Sequence, residues 1–407
     1  MKNSSPHKIV VLGMGGTIAG LAADPHSPEH YVAAQRSVAD LLSEWCPEGQ
    51  EEGHEEGHEE GQEEGQEEEA LGEGQSPLTW VSQQVAQIDS KDLNPAHWLA
   101  LIQAVVPALQ DDEVAGVVIT HGTDTLEETA TFLDVVLNRG EAELNKPLVL
   151  TCAMRPSNAP DADGPQNLAD ALLLASARET QAKGVWVVCA GQAHAARWVR
   201  KGHPQNLDAF DSGDRPVAAT LLKRPAPNWA EPEQGIKRPL QRGLQRGVQR
   251  GWQSEWQWTS KPPSPTQAQT QTQAQTFIKT DRPVGFNHLA PLLRTPPEAW
   301  PRVGILTHHA GSEAWEIEAL VMAGVRGIVV ASTGNGTISE TWRSALLKAQ
   351  SEGIQLCWTT RCAQGHPTQV PEGFASIASN SLAADWGDST PAKARVRLQL
   401  SLLLNSN

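Results

Sequence analysis

The chain has 407 residues, enough for two ordinary domains each with a sizeable core. Its formal net charge is −16, but 13 glutamates crowd between Glu48 and Glu73 and leave the remainder near −3. The acidity is therefore local, and the absence of a basic stripe with interleaved aromatics argues against nucleic acid as a partner.

Residues 1–8 hold no apolar run, so neither a signal peptide nor a membrane span is expected, and a cytoplasmic location follows as the default. Residues 9–12 then read as a short buried strand that runs into Gly13, Gly15 and Gly16 ahead of Thr17. A dinucleotide fingerprint fails at its third glycine, where Ile18 stands. Thr17 is left as either a helix cap or a reactive hydroxyl at a strand end, which is where open α/β sheets bind ligands.

Further along, residues 51–69 repeat a glutamate-rich unit of four with a glycine in each and no apolar side chain to bury. The stretch 48–76 is expected to be a disordered acidic insert. His54 and His58 within it have no fixed geometry to offer, so no metal site is expected. Residues 224–295, which include QRGLQRGVQRG and TQAQTQTQAQT, read as a second low-complexity segment, a basic interdomain linker.

Outside these inserts, strand-like runs at 9–12, 116–120, 147–152, 185–189, 303–307 and 327–331 alternate with amphipathic stretches at 94–109, 127–137 and 167–178. The expected fold class is α/β: a large N-terminal parallel-sheet domain over 1–223 and a smaller C-terminal α/β domain over 296–407. Five cysteines (46, 152, 189, 357 and 362) form no C-x-x-C and read as reduced, buried thiols.

The run GVVITHGTDTLEETA repeats the grammar of the first strand end. A strand closes in Gly122 and then presents Thr123, Asp124 and Thr125 before a helix. Two such ends can converge at the carboxyl edge of one sheet. With GGTIAG at 15–20 and THGTDTLEETA at 120–130, the chain resembles the bacterial-type L-asparaginase family, threonine amidohydrolases that act on the side-chain amide of asparagine. QIDSKDLNP, CAMRPSNAPDADGPQNL and GIVVASTGNG extend the resemblance across nearly all of the chain apart from the two inserts.

The resemblance implies roles. Thr17 would attack the side-chain carbonyl and Tyr31, the sole tyrosine, would relay its proton. Thr123, Asp124 and Lys201 would form a second cluster that orients water and moves a proton. Gly16, Ser90, Gly122, Thr123 and Asp124 would line the substrate site, with Ser90 at the α-carboxylate, Asp124 at the α-ammonium, and the Thr123 N–H as oxyanion donor. No metal or organic cofactor is implied. The partners implied are L-asparagine, with L-glutamine left open, and further copies of the chain in a homotetramer or homodimer; neither nucleic acid nor membrane is expected.

Two positions depart from the family pattern. Gly311 stands where many periplasmic relatives carry an asparagine, and the acidic partner of the Thr17–Tyr31 pair is unassigned, Glu372 being the residue on offer. Two other readings stay open at this point: a non-catalytic amino-acid sensor on the same scaffold, and an amidase with substantial glutaminase activity. Trp315 and Trp342 read as core residues of the C-terminal helices.

Overall fold

The computed structural model describes residues 8–27, 29–46, 79–138, 144–177, 180–223, 254–259, 286–368, 371–374 and 389–404. The expected acidic insert at 48–76 and most of the expected linker lie outside these residues.

In chain order, β1 (Lys8–Gly15), the short strands β2 (Leu21–Ala22) and β3 (Tyr31–Val32), and helix α1 (Val38–Trp45) come first. Strand β4 (Thr79–Ile88), helix α2 (Pro95–Gln110), β5 (Val114–Thr120), α3 (Leu126–Leu137), β6 (Pro147–Thr151), α4 (Gly164–Ala175) and β7 (Gly184–Cys189) follow. Four short strands then run to β12: β8 (Gln192–Ala195), β9 (Arg200–Lys201), β10 (Phe210–Asp211), β11 (Ala219–Lys223) and finally β12 (Ser254–Trp258) itself. The remainder is α5 (Ala290–Arg294), β13 (Val303–Thr307), α6 (Trp315–Met322), β14 (Gly327–Ser332), α7 (Glu340–Ser351), β15 (Gln355–Thr360) and α8 (Pro391–Leu404).

The large sheet has eight strands in the order β12-β11-β8-β7-β6-β5-β1-β4. Its β4-β1-β5-β6-β7 portion is parallel, and β8, β11 and β12 continue it antiparallel. Both faces are buried, so the central strands contribute side chains alternately to two cores: Leu12 and Met14 to one, Ile9 and Val11 to the other. The second sheet is parallel, β13-β14-β15, with α6 and α7 packed around Trp342. Mixed α/β architecture with a large first unit and a smaller second one is thus what the structure has.

Some elements differ from the sequence expectation. Strand β4 was not expected, because its polar residues break the apolar pattern; it pairs with β1 from Lys8 to Gly15 with an irregularity between Gly13 and Gly15. Strand β12 lies inside the stretch read as linker. Its Trp256 and Trp258 alternate onto one face, where Trp256 joins the core and the Trp258 ring meets Trp186 edge-on at 5.1 Å. Helix α4 begins three residues earlier than expected because Pro165 occupies its first turn, where a missing N–H costs nothing. Trp342 is fully buried as expected, but Trp315 is 62% exposed. All five cysteines are free; three are buried, Cys46 is half-buried and Cys362 is exposed.

Helix α8 joins the two units. Val396, Leu400 and Leu403 enter the core beside α3, while Ala394 and Leu398 pack on Val329 and Cys357 of the second sheet. No helix among the described residues is long and apolar enough to cross a membrane.

Candidate active site

Strands β1 and β5 are neighbours in the sheet, so their carboxyl ends open side by side. Gly15 and Gly16 leave β1 with φ of 91° and 82°, conformations that suit glycine alone. They turn the chain into a single helical turn, Thr17–Ala19. A Cβ on Gly16 would lie 2.3 Å from the Cα and N of Gly122, and one on Gly122 would lie 2.5 Å from Ser90 Oγ. Three backbone segments therefore touch at Gly16, Gly122 and Ser90, and this contact brings Thr17 and Thr123 to one place.

Thr17 is buried and its Oγ1 is 2.7 Å from Tyr31 Oη. It does not cap a helix: the turn it begins has no side-chain cap. Tyr31 reaches it across the small β2–β3 hairpin, in which Ala22 pairs with Tyr31, and its ring lies against Gly20. The base of the hairpin is pinned from two sides. Ala34 N–H donates to the Gly16 carbonyl, while Asn158 accepts from Ala22 N–H and donates to Ala22 C=O, as a strand would. The hairpin itself stays near solvent, with Tyr31 38% and Val32 62% exposed.

Thr123 sits differently. Lys201 Nζ donates to Thr123 Oγ1 at 2.8 Å and to Asp124 Oδ1 at 2.6 Å. Lysine 201 is held in turn: its backbone N–H donates to Glu127 Oε2 at 2.8 Å, and the other carboxylate oxygen of Glu127 accepts from Thr390 Oγ1. The loop ahead of Lys201 is clamped by Lys393, fully buried at the start of α8, whose ammonium donates to the carbonyls of Ala196, Arg197 and Val199. Burial pulls the Lys393 pKa down to about 7 while the Glu127 carboxylate opposes it. Three carbonyls for three N–H groups match the protonated amine.

Behind Thr123, His121 is fully buried and burial holds its pKa down at about 4. Thr125, at the start of α3, bonds the Ser90 carbonyl with its hydroxyl instead of capping the helix, which fixes the Ser90 turn against the Thr123 loop. Asp124 points outward, its side chain 56% exposed.

The structure therefore brings together Gly16, Thr17, Tyr31, Ser90, Gly122, Thr123, Asp124 and Lys201. Sequence reasoning did not find Glu127, Thr390, Lys393, Asn158 or His121, because each acts through a distant or backbone partner. Only His121, inside the THGTDT run, carried a local signal. Gly311 lies in a turn with φ of 84°, open around its Cα, and the Glu372 carbonyl accepts from Arg343. No group of three or more metal-ligating side chains exists among the described residues.

The family description "Asparaginase, N-terminal" matches residues 8–232 and "Glutaminase/Asparaginase C-terminal domain" matches 302–407. The chain is 28% identical to L-asparaginase 2 of Bacillus subtilis over 97% of its own length and 82% of the relative's. It is also 28% identical to the glutaminase-asparaginase of Acinetobacter glutaminasificans, over 97% and 95%. Its fold matches the crystal structure of a probable cytoplasmic L-asparaginase from Campylobacter jejuni with a TM-score of 0.67 and 26% identity, covering 98% of this chain and 96% of that one.

Proposed function

The chain belongs to the asparaginase family of amidohydrolases, and from that premise we propose that it hydrolyses L-asparagine to L-aspartate and ammonia with Thr17 as nucleophile. The observation that carries this reading is the Gly16–Gly122 contact, which sets a Thr–Tyr pair beside a Thr–Lys–Asp cluster over one sheet edge. Thr17 Oγ attacks the side-chain carbonyl carbon while Tyr31 passes the hydroxyl proton to the leaving nitrogen. The C–N bond breaks, ammonia departs, and an aspartyl ester of Thr17 remains. Lys201 occupies a lone pair of Thr123 Oγ1, so the Thr123 hydroxyl proton is free to face the pocket and orient the water that cleaves the ester. Asp124 holds the α-ammonium and Ser90 the α-carboxylate.

No residue in the described site calls for a cofactor in this scheme. Glutamine is one methylene longer, a difference worth roughly 1–3 kcal/mol. The Acinetobacter relative's name joins both substrates. We further propose a cytoplasmic homo-oligomer; the exposed Trp315 and Met322 of α6 and Ile305 on β13, an edge strand among the described residues, supply apolar surface for it.

Ammonia release from L-asparagine and from L-glutamine tests the reading, with Thr17→Ala and Thr123→Ala as controls. Loss of turnover in both folded variants supports it. Asparagine binding without turnover by the unmutated chain would replace it with the sensor reading.

A further inference from the structure

Gly122 creates a difficulty for the site it helps to build. Close packing against Ser90 and Gly16 demands a residue without Cβ there. Glycine, however, leaves the 122–123 peptide free to rotate end over end. A flipped peptide would turn the Thr123 N–H inward and a carbonyl oxygen toward the developing oxyanion.

The buried side of this peptide carries a chain of hydrogen bonds that runs one way. Trp98 Nε1–H donates to Thr129 Oγ1 at 3.1 Å, and Thr129 Oγ1 is 3.0 Å from His121 Nε2. His121 Nδ1 is 2.7 Å from the Gly122 carbonyl oxygen. A carbonyl only accepts, so Nδ1 carries the proton; in a neutral ring Nε2 then accepts from the Thr129 hydroxyl. Burial keeps the ring neutral at physiological pH. Every donor and acceptor along the chain is thereby used once, and the sequence of bonds allows one direction only. The Thr123 N–H, on the opposite side of a trans peptide, has no protein acceptor among the described residues.

We propose that His121 is a positioning residue: its Nδ1–H holds the Gly122 carbonyl inward and so aims the Thr123 N–H at the substrate oxyanion, with Thr129 and Trp98 fixing the ring. The inference rests on the hydrolase reading. It assigns to His121 no contact with substrate, only control of a backbone donor worth roughly 100-fold to 1,000-fold in turnover.

Two measurements test it on the full chain. Nitrogen-15 NMR of the His121 ring at neutral pH should show a protonated Nδ1 and a bare Nε2, the reverse of the tautomer favoured by free imidazole side chains. Steady-state kinetics on L-asparagine should show a kcat about 100-fold lower in His121→Leu, with KM within about threefold. His121→Asn, whose amide nitrogen reaches the Nδ1 position, should recover kcat to within about tenfold of the unmutated chain. A merely structural role would not separate the two variants. If neither variant folds, the tautomer decides alone. Absence of asparagine turnover by the unmutated chain overturns the hydrolase reading and this inference together. Turnover accompanied by an Nε2–H ring, or by equal rates in the two variants, overturns this inference alone.

Discussion

Thr17 and Thr123 leave neighbouring strands through similar glycine turns, but the chain completes their surroundings in different ways. The Thr17 half depends on a short hairpin near solvent, tied down by Ala34 and Asn158, with Tyr31 hydrogen-bonded to Thr17. The Thr123 half is packed from behind by His121 and from the side by Lys201, Glu127 and α8. The Tyr31 hairpin is exposed, whereas His121, Glu127 and Lys393 behind and beside Thr123 are buried. Local stability follows the same division, since few buried contacts mean cheap local opening.

The largest expected effect comes from breaking both halves at their shared contact. Gly16→Ala places a Cβ 2.3 Å from the Gly122 backbone at a φ of 82°. Both reactive groups must shift, at about 100-fold each, so turnover should fall about 10⁴-fold, measured as ammonia release. The comparison sharpens when each half is struck separately. Lys201→Met removes the cation from a preorganised cluster and should cost about 10³-fold in kcat, whereas Tyr31→Phe should cost about 10²-fold. Equal losses would show that the two halves are not functionally distinct.

Acid should weaken the fold through two buried histidines, His121 behind Thr123 and His194 on β8, whose Nδ1 lies 2.9 Å from Ser212 Oγ. Burial holds His121 and His194 at about 4 in the fold, against an ordinary value of 6.5. The unfolded chain binds more protons between those values, so stability present above pH 6.5 is lost as pH falls toward 4. The loss is roughly 3 kcal/mol for each histidine. Thermal unfolding of the chain and of His194→Asn across this range should therefore diverge, the variant being the flatter of the two. The smallest effect belongs to the hairpin base: Asn158→Ala should release the Ala22 amide and lower its protection against hydrogen exchange by about 1 kcal/mol, with global stability little changed.

The parts of this molecule that were legible in its sequence are those with a local signature. Apolar runs that close in glycine marked β1 and β5, and the hydroxyls just past them marked Thr17 and Thr123. Strand β4 escaped because Ser82, Gln83 and Gln84 interrupt its apolar side, although Gln84 does work there by accepting from Val38 N–H. Strand β12 escaped because its alternation is only five residues long inside repetitive sequence. Apart from His121, inside the THGTDT run, the supports of the site were not legible. Asn158 meets Ala22 across 136 residues, and Glu127 meets Thr390 across 263. No spacing rule connects such pairs, because only the tertiary fold brings them together.

The distance along the chain between Lys201 and the residues that secure it has a consequence for how the protein comes into being. Lys393 grips carbonyls at Ala196, Arg197 and Val199 that precede it by 194 to 197 residues. Both threonines and Lys201 therefore leave the ribosome long before α8 exists to fasten them. A nascent chain whose first sheet has formed still lacks, until residue 393 has emerged, the buried ammonium that holds the loop ahead of Lys201.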